Sequence, residues 1–212
     1  MPNYFGVTIF KKTDGMKLTR ENYIKINNKS SLVKGMVYSE SIMNQYIESA
    51  LYNYDLNLAH TRSLSKKDFD EELIKFINGT KSFIEITDLS ALNRISGYYV
   101  MVLDEYTQAY IGRSNDIKKR VQSHWSKQKE LDRLVFGSKE RSILSIDSFR
   151  AYDTTRMFVY KTSNIEGQED EFINSFDKKY LLNRTVGGTL PGLSEATLNA
   201  KTRFMSIDNN DL

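Results

Sequence analysis

Tyr99 and Tyr110 stand eleven residues apart, Arg120 follows ten residues after the second tyrosine, and His124 lies four residues beyond Arg120. These residue types suit a grip on phosphate with proton transfer beside it. The planar fork of an arginine grips phosphate oxygens through paired N–H groups, and an imidazole passes protons near neutral pH. A divalent cation would require hard oxygen donors, and Glu166, Glu169, Asp170 and Glu171 crowd one stretch of chain. Each signal also has an ordinary reading. The chain holds 13 tyrosines, tyrosine is a good strand residue, and acidic groups at a helix start complement its dipole. His60, in Ala59-His60-Thr61, has no partner in view and is not expected to be catalytic.

The elements around these residues would bring them together. Gly97–Leu103 and Ala109–Gly112 are β-rich runs separated by Asp104-Glu105-Tyr106-Thr107, a hairpin pattern. With an even loop, Leu103 pairs with Gln108 and Met101 with Tyr110, so Tyr99 and Tyr110 share one face. Ser114-Asn115-Asp116 offers caps for a following helix. On that helix Ile117, Val121 and Trp125 form the core-facing stripe, with Arg120 and His124 one turn apart beside it. Trp125 is read as packing. Between Arg113 and Lys129 six Lys or Arg accompany the single Asp116, which suits either a phosphate-facing patch or a solvated helix face. Further on, a short helix is expected near 138–146, a strand at Met157–Lys161, and a helix from Gln168 to Tyr180 with Phe172, Ile173 and Phe176 on one side. A turn follows from Asn183 to Gly188, then a helix over 193–205 begun by Ser194.

Before Gly97 the chain reads as a small α/β unit without assignable chemistry. A strand is expected at 4–10, and a short helix and strand within 21–36. Helices follow from Glu40 to about Tyr52 and from Ser65 to Ile77, the latter with a stripe of Phe69, Leu73, Ile74 and Ile77. A strand at Ser82–Ile86 and a short helix or linker at Asp88–Ile95 complete it. The fold class is therefore α/β (α+β), divided into a domain at 1–95, a second at 96–190 and a helical tail at 191–212. Hydrophobic residues make up 40% and charged residues 27% of the 212, as in ordinary globular proteins. The absence of cysteine rules out disulfides, thiolate catalysis and Cys-ligated zinc. The early charges Lys11, Lys12, Asp14, Lys17 and Arg20 interrupt any signal-peptide core, and no apolar run is long enough to span a bilayer. A cytoplasmic protein without a membrane partner is expected. Net charge is only +3, too small to argue for nucleic acid alone.

The order Gly97-Tyr98-Tyr99, then Ala109-Tyr110-Ile111-Gly112-Arg113-Ser114, then Asp116-Ile117-Lys118-Lys119-Arg120 and His124 resembles the GIY-YIG nuclease superfamily. Glu169, with apolar Phe172 and Ile173 at +3 and +4 and Asn183 at +14, is similar to that family's remaining signature. So is the ending Leu182-Asn183-Arg184-Thr185-Val186-Gly187-Gly188. The resemblance covers roughly ninety residues. It departs at Tyr98, where the family has isoleucine, and in lacking a proline before Asn183. The second departure bears on the choice of Glu169 over Glu171.

The resemblance implies a short antiparallel sheet flanked by helices and a metal-dependent endonuclease. Glu169 would bind Mg²⁺ or Mn²⁺. Tyr99 would be the general base or orient the attacking water, with His124 taking its proton and Arg120 favouring the phenolate. Tyr110 and Arg120 would hold phosphate oxygens, and Arg113, Lys118 and Lys119 would contact the substrate. Gly97 and Gly112 would serve the backbone near the site, Gly112 by letting it approach the phosphate or the helix start. Asn183 would pin the fold. DNA is the expected substrate, with RNA left open, in defence by restriction or in a mobile element. Cutting both strands with one site per chain would suggest a homodimer, at least a transient one. Residues 1–95 would recognise DNA, regulate the enzyme or mediate dimerisation. The segment Leu193-Ser194-Glu195-Ala196-Thr197 faintly resembles short DNA-binding repeats of homing nucleases. Two other readings are a catalytically silent nucleic-acid-binding protein and a nuclease effector governed by an N-terminal interaction domain.

Overall fold

In a computed structural model of the protein, described over residues 1–9, 18–24, 40–127 and 146–183, one strand forms the centre of the fold. The run Gly97–Leu103 (β4) is buried along its entire length, as a continuous apolar segment must be when both its faces are covered. It pairs antiparallel with Gln108–Ser114 (β5) on one side and Arg156–Lys161 (β6) on the other. Ile84–Ile86 (β3) adds to the outer side of β6, giving the order β3-β6-β4-β5. The hairpin register is Leu103 opposite Gln108 and Met101 opposite Tyr110, as the four-residue loop requires. Thr107 turns the loop in the left-handed region at φ 55°.

Side chains alternate along β4, and each face has its own core. Tyr98, Val100 and Val102 pack with Phe69, Leu73 and Phe76 of Lys66–Thr80 (α3) and with Ile173 of Gln168–Ser175 (α5). Tyr99, Met101 and Leu103 pack with Ile117, Val121 and Trp125 of Ile117–Lys127 (α4). The second face also receives residues from two short N-terminal strands, Asn3–Tyr4 (β1) and Val7–Thr8 (β2), and from helices Arg20–Tyr23 (α1) and Glu40–Ser63 (α2). The architecture is a mixed α/β fold with antiparallel sheets. Among the described residues no helix is long and apolar enough to cross a membrane.

Several elements differ from the sequence reading. The expected strand at 4–10 is instead a tight hairpin, because Phe5 and Gly6 both take positive φ. Phe5 carbonyl accepts from the Leu89 amide at 2.9 Å, which docks the hairpin beside the sheet. Helix α2 continues to Ser63, well past Tyr52; neither glycine nor proline interrupts the chain from 40 to 63. In α3 Phe76 takes the core position that Ile74 was expected to fill, and Ile74 is 58% exposed. At about 100° per residue, seven steps from Phe69 nearly complete two turns, whereas five steps point to the opposite side. Helix α5 stops at Ser175, since Phe176 is extended and Asp177 caps a separate 3₁₀ turn at Lys178–Tyr180. The segment expected as helix or linker at 88–95 contains a 3₁₀ turn at Ser90–Leu92. Because β3 belongs to the main sheet, hydrogen bonding crosses the boundary expected at residue 95. Phe10, the helix near 138–146 up to residue 145, the turn beyond Asn183, the tail 191–212, and the structure expected within 25–36 lie outside the described residues, as does Lys129.

Candidate active site

The hairpin and α4 bring four of the sequence-selected side chains to one point. Asp116 starts α4 by accepting from the Lys119 amide at 3.0 Å, and its own amide is held by Ser114 Oγ at 3.0 Å. Burial of Ile117, Val121 and Trp125 then fixes the rotation of the helix. Trp125 is 4% exposed and donates to Thr154 Oγ1 at 2.9 Å, so it is a packing residue. That rotation points His124 at the sheet. Its ring lies 5.1 Å from the Tyr110 ring and 6.2 Å from the Tyr99 ring, and the two tyrosine rings are themselves 6.2 Å apart. Arg120, one turn earlier, interacts with both phenol oxygens.

Gly112 explains how Tyr99 fits. It pairs directly opposite Tyr99, and a β-carbon there would stand 2.5 Å from the Tyr99 Cζ and hydroxyl. The glycine is needed to seat the phenol, a different reason from the close phosphate or helix approach expected for it. At the start of β4, Gly97 has φ +149°, and a β-carbon there would lie 2.1 Å from the Tyr160 carbonyl oxygen. Asn183 fastens the outer edge of β5. Its Nδ2 donates to the Ile111 carbonyl at 2.7 Å while its Oδ1 accepts from the Ile111 amide at 2.9 Å. These two bonds satisfy the outward-facing amide and carbonyl of Ile111, and the Leu182 amide does the same for the Ala109 carbonyl at 2.8 Å.

A hydrogen-bonded chain runs inward from the phenol. Tyr99 hydroxyl lies 2.9 Å from His124 Nε2, and His124 Nδ1 lies 2.5 Å from Asp147 Oδ1. Lys127 Nζ stands 3.2 Å from the other Asp147 oxygen. Burial pushes the Asp147 pKa up, but His124 and Lys127 outweigh it and hold the carboxyl well below its usual range. Burial also lowers the pKa of His124, with Asp147 opposing in part. At neutral pH a carboxylate that can only accept therefore faces a neutral imidazole. The imidazole proton sits on Nδ1, and Nε2 accepts from the Tyr99 hydroxyl. Asp147 lies in a 3₁₀ turn, Ile146–Ser148, that the sequence reading did not single out.

Burial raises the Tyr99 pKa well above 10, Tyr110 adds to the rise, and Arg120 opposes both without prevailing. Tyr110 is raised likewise, against Arg120. Arg120 pulls toward the phenolate without offsetting the loss of water, so Tyr99 rests as the phenol. Any proton that Tyr99 accepts must be matched by one passed to His124.

Glu169 approaches from the first turn of α5. Its carboxylate pairs with Arg113 Nε at 3.0 Å, and Arg113 Nη1 also donates to the Ile165 carbonyl at 2.8 Å. Burial raises the Glu169 pKa, and Arg113 and Arg120 pull against it. Glu169 also acts electrostatically on Tyr99 and Tyr110, whereas Glu171 is exposed. Among the described residues no three of His, Cys, Asp and Glu gather closely enough to hold a metal unaided. Lys119 is exposed, and Lys118 lies near enough to Asp88 to help lower its pKa. Neither is brought to the phenol pair by the contacts described. His60 contacts the Lys179 backbone, away from this cluster. No family model matches the chain, and no curated protein or solved structure matches it.

Proposed function

We propose that the protein is a metal-dependent endonuclease of the GIY-YIG type, hydrolysing phosphodiester bonds in DNA. The convergence of Tyr99, Tyr110, Arg120 and His124, with Glu169 electrostatically coupled to both phenols, is the observation that supports this reading. Glu169 suits a divalent cation. It is a partly desolvated carboxylate with oxygen donors, and Mg²⁺ commonly binds one or two carboxylates while substrate phosphate and water complete its shell. Bound there, Mg²⁺ or Mn²⁺ would supply Lewis-acid stabilisation to the scissile phosphate and its leaving oxygen.

The remaining work falls to the chain itself. Tyr99 receives a proton from the attacking water as its own proton passes to His124 Nε2. Arg120 and the Tyr110 hydroxyl hold the non-bridging phosphate oxygens as negative charge grows on them. Arg113, released from Glu169, becomes available to a neighbouring phosphate. Supercoiled-plasmid nicking with Mg²⁺ tests the proposal, comparing wild type with Glu169→Ala and Glu171→Ala. Nicking is expected in wild type and in Glu171→Ala, and loss in Glu169→Ala. A wild-type protein that binds DNA but never nicks it would instead favour the silent-scaffold reading.

A further inference from the structure

We propose that Asp147 is the positioning residue of a Tyr99–His124–Asp147 proton relay, a role that rests on the phosphodiesterase reading. Three observations carry it. The two hydrogen bonds of His124 lie at opposite ring nitrogens, 2.9 Å to a phenol and 2.5 Å to a carboxylate. His124 is 2% exposed and Asp147 7%, so water cannot easily replace either contact. Lys127 binds the second carboxylate oxygen and reinforces the ionised form. A carboxylate at Nδ1 dictates that Nε2 presents a lone pair to Tyr99, and it offsets the positive charge that appears on the ring. A histidine needed only for packing would not require its other nitrogen to be aimed at a phenol that Gly112 makes room for.

The step balances in protons and charge. The O–H bond of the attacking water breaks and its proton goes to the Tyr99 oxygen. The Tyr99 O–H bond breaks in turn, and that proton passes to His124 Nε2, giving an imidazolium beside the Asp147 carboxylate. The hydroxyl forms a bond to phosphorus, the bond from phosphorus to the leaving oxygen breaks, and that oxygen takes a proton from solvent. His124 then returns its proton by way of Tyr99 to solvent. Among the described residues, the titratable and charged groups around the imidazole are Tyr99 from β4, Tyr110 from β5, Asp147 from the 3₁₀ turn, and Arg120 and Lys127 from α4.

Nitrogen-resolved NMR of the full-length protein reads the relay without turnover. A strongly downfield Nδ1 proton and a bare Nε2 are expected for His124 at pH 7.5, and the near-isosteric Asp147→Asn variant is expected to lose that signature. In plasmid nicking, Asp147→Asn should lower kcat by about 10²–10⁴-fold with little change in KM, the range seen when a buried carboxylate partner of a catalytic histidine becomes an amide. Lys127→Met should move the acid limb of the rate profile to higher pH, because removing that cation raises the His124 pKa. If wild type fails to nick DNA, the nuclease reading falls and the relay with it. If wild type nicks and Asp147→Asn stays within about threefold with an unmoved acid limb, the relay alone is overturned. Failure of His124 to carry its proton on Nδ1 overturns it as well.

Discussion

Tyr98 and Tyr99 are adjacent on one strand, both fully buried, and they enter opposite worlds. Tyr98 points into the face built by α3 and α5. Its ring stacks 5.9 Å from Tyr160 and meets Phe172 edge-on at 5.1 Å, and its buried hydroxyl ends beside the Gln168 backbone, with no side-chain partner among the described residues. Tyr99 points into the α4 face, where its hydroxyl meets an imidazole backed by a carboxylate, with a glycine opposite to admit the ring. A side chain becomes chemical through what its polar end meets. Burial alone does not distinguish the two, and neither does residue type. Glu169 sits where the faces converge. It acts on Tyr98 and Tyr99 alike and is held by Arg113, whose cross-strand partner is Tyr98.

The sharpest way to break this comparison is to remove the two hydroxyls separately. Tyr99→Phe keeps the ring in place and deletes only the hydroxyl proposed to carry the proton, so kcat for nicking should fall by about 10²–10⁴-fold. Circular dichroism and the melting curve should stay close to wild type. Retention of more than about a tenth of wild-type activity would remove Tyr99 from the proton path. Next in size comes Gly112→Ala. The added methyl must displace the Tyr99 phenol or the β5 backbone, and overpacking of that kind costs about 1–3 kcal/mol. A lower melting temperature is expected together with lost nicking. An unchanged melting temperature would mean that the phenol is not seated as described.

What could be read from the chain beforehand follows the range of the forces involved. The hairpin register was legible because a four-residue loop and strict alternation determine it locally, and they place Tyr99 and Tyr110 on one face. The α4 stripe was legible for the same reason, since Ile117, Val121 and Trp125 repeat at helical spacing. Asp147 was not legible. It reaches His124 from 23 residues away by a 3₁₀ turn, and no local pattern marks an aspartate between Ile146 and Ser148. The place of β3 in the main sheet was hidden too, because strand pairing at long separation leaves no trace in the spacing of Ile84 and Ile86. Ile74 was misplaced for a simpler reason. An apolar residue next to a true core stripe looks like a member until the helix angle is counted.

Arg113 tests the seam between the two faces. Its guanidinium competes with any cation for Glu169, being only 3.0 Å from the carboxylate. Arg113→Gln should therefore tighten Mn²⁺ binding by about 3–10-fold, as expected for removing one partly solvated charge beside the site. Titration calorimetry or the Mn²⁺ paramagnetic signal would measure it. If Arg113 also holds a phosphate as proposed, the same variant should raise KM for DNA. Unchanged or weaker Mn²⁺ binding would assign Arg113 to bracing the Ile165 loop through its 2.8 Å bond alone.

The smallest effect is expected from Tyr98→Phe, and it bears most directly on what separates the two faces. The Tyr98 ring supplies the packing against Tyr160 and Phe172, and phenylalanine preserves it. The hydroxyl is buried beside the Gln168 backbone, and because Gln168 is exposed its backbone group can turn to water, so removing the hydroxyl recovers a desolvation cost while giving up little. Stability should remain within about 0.5 kcal/mol of wild type or rise slightly, with nicking within about twofold. Thermal melting and plasmid assays on Tyr98→Phe and Tyr99→Phe side by side would show it. If Tyr98→Phe instead lost activity, the hydroxyl near Arg113 and Glu169 would have to be working on substrate, and the division of β4 into a packing face and a chemical face would no longer hold.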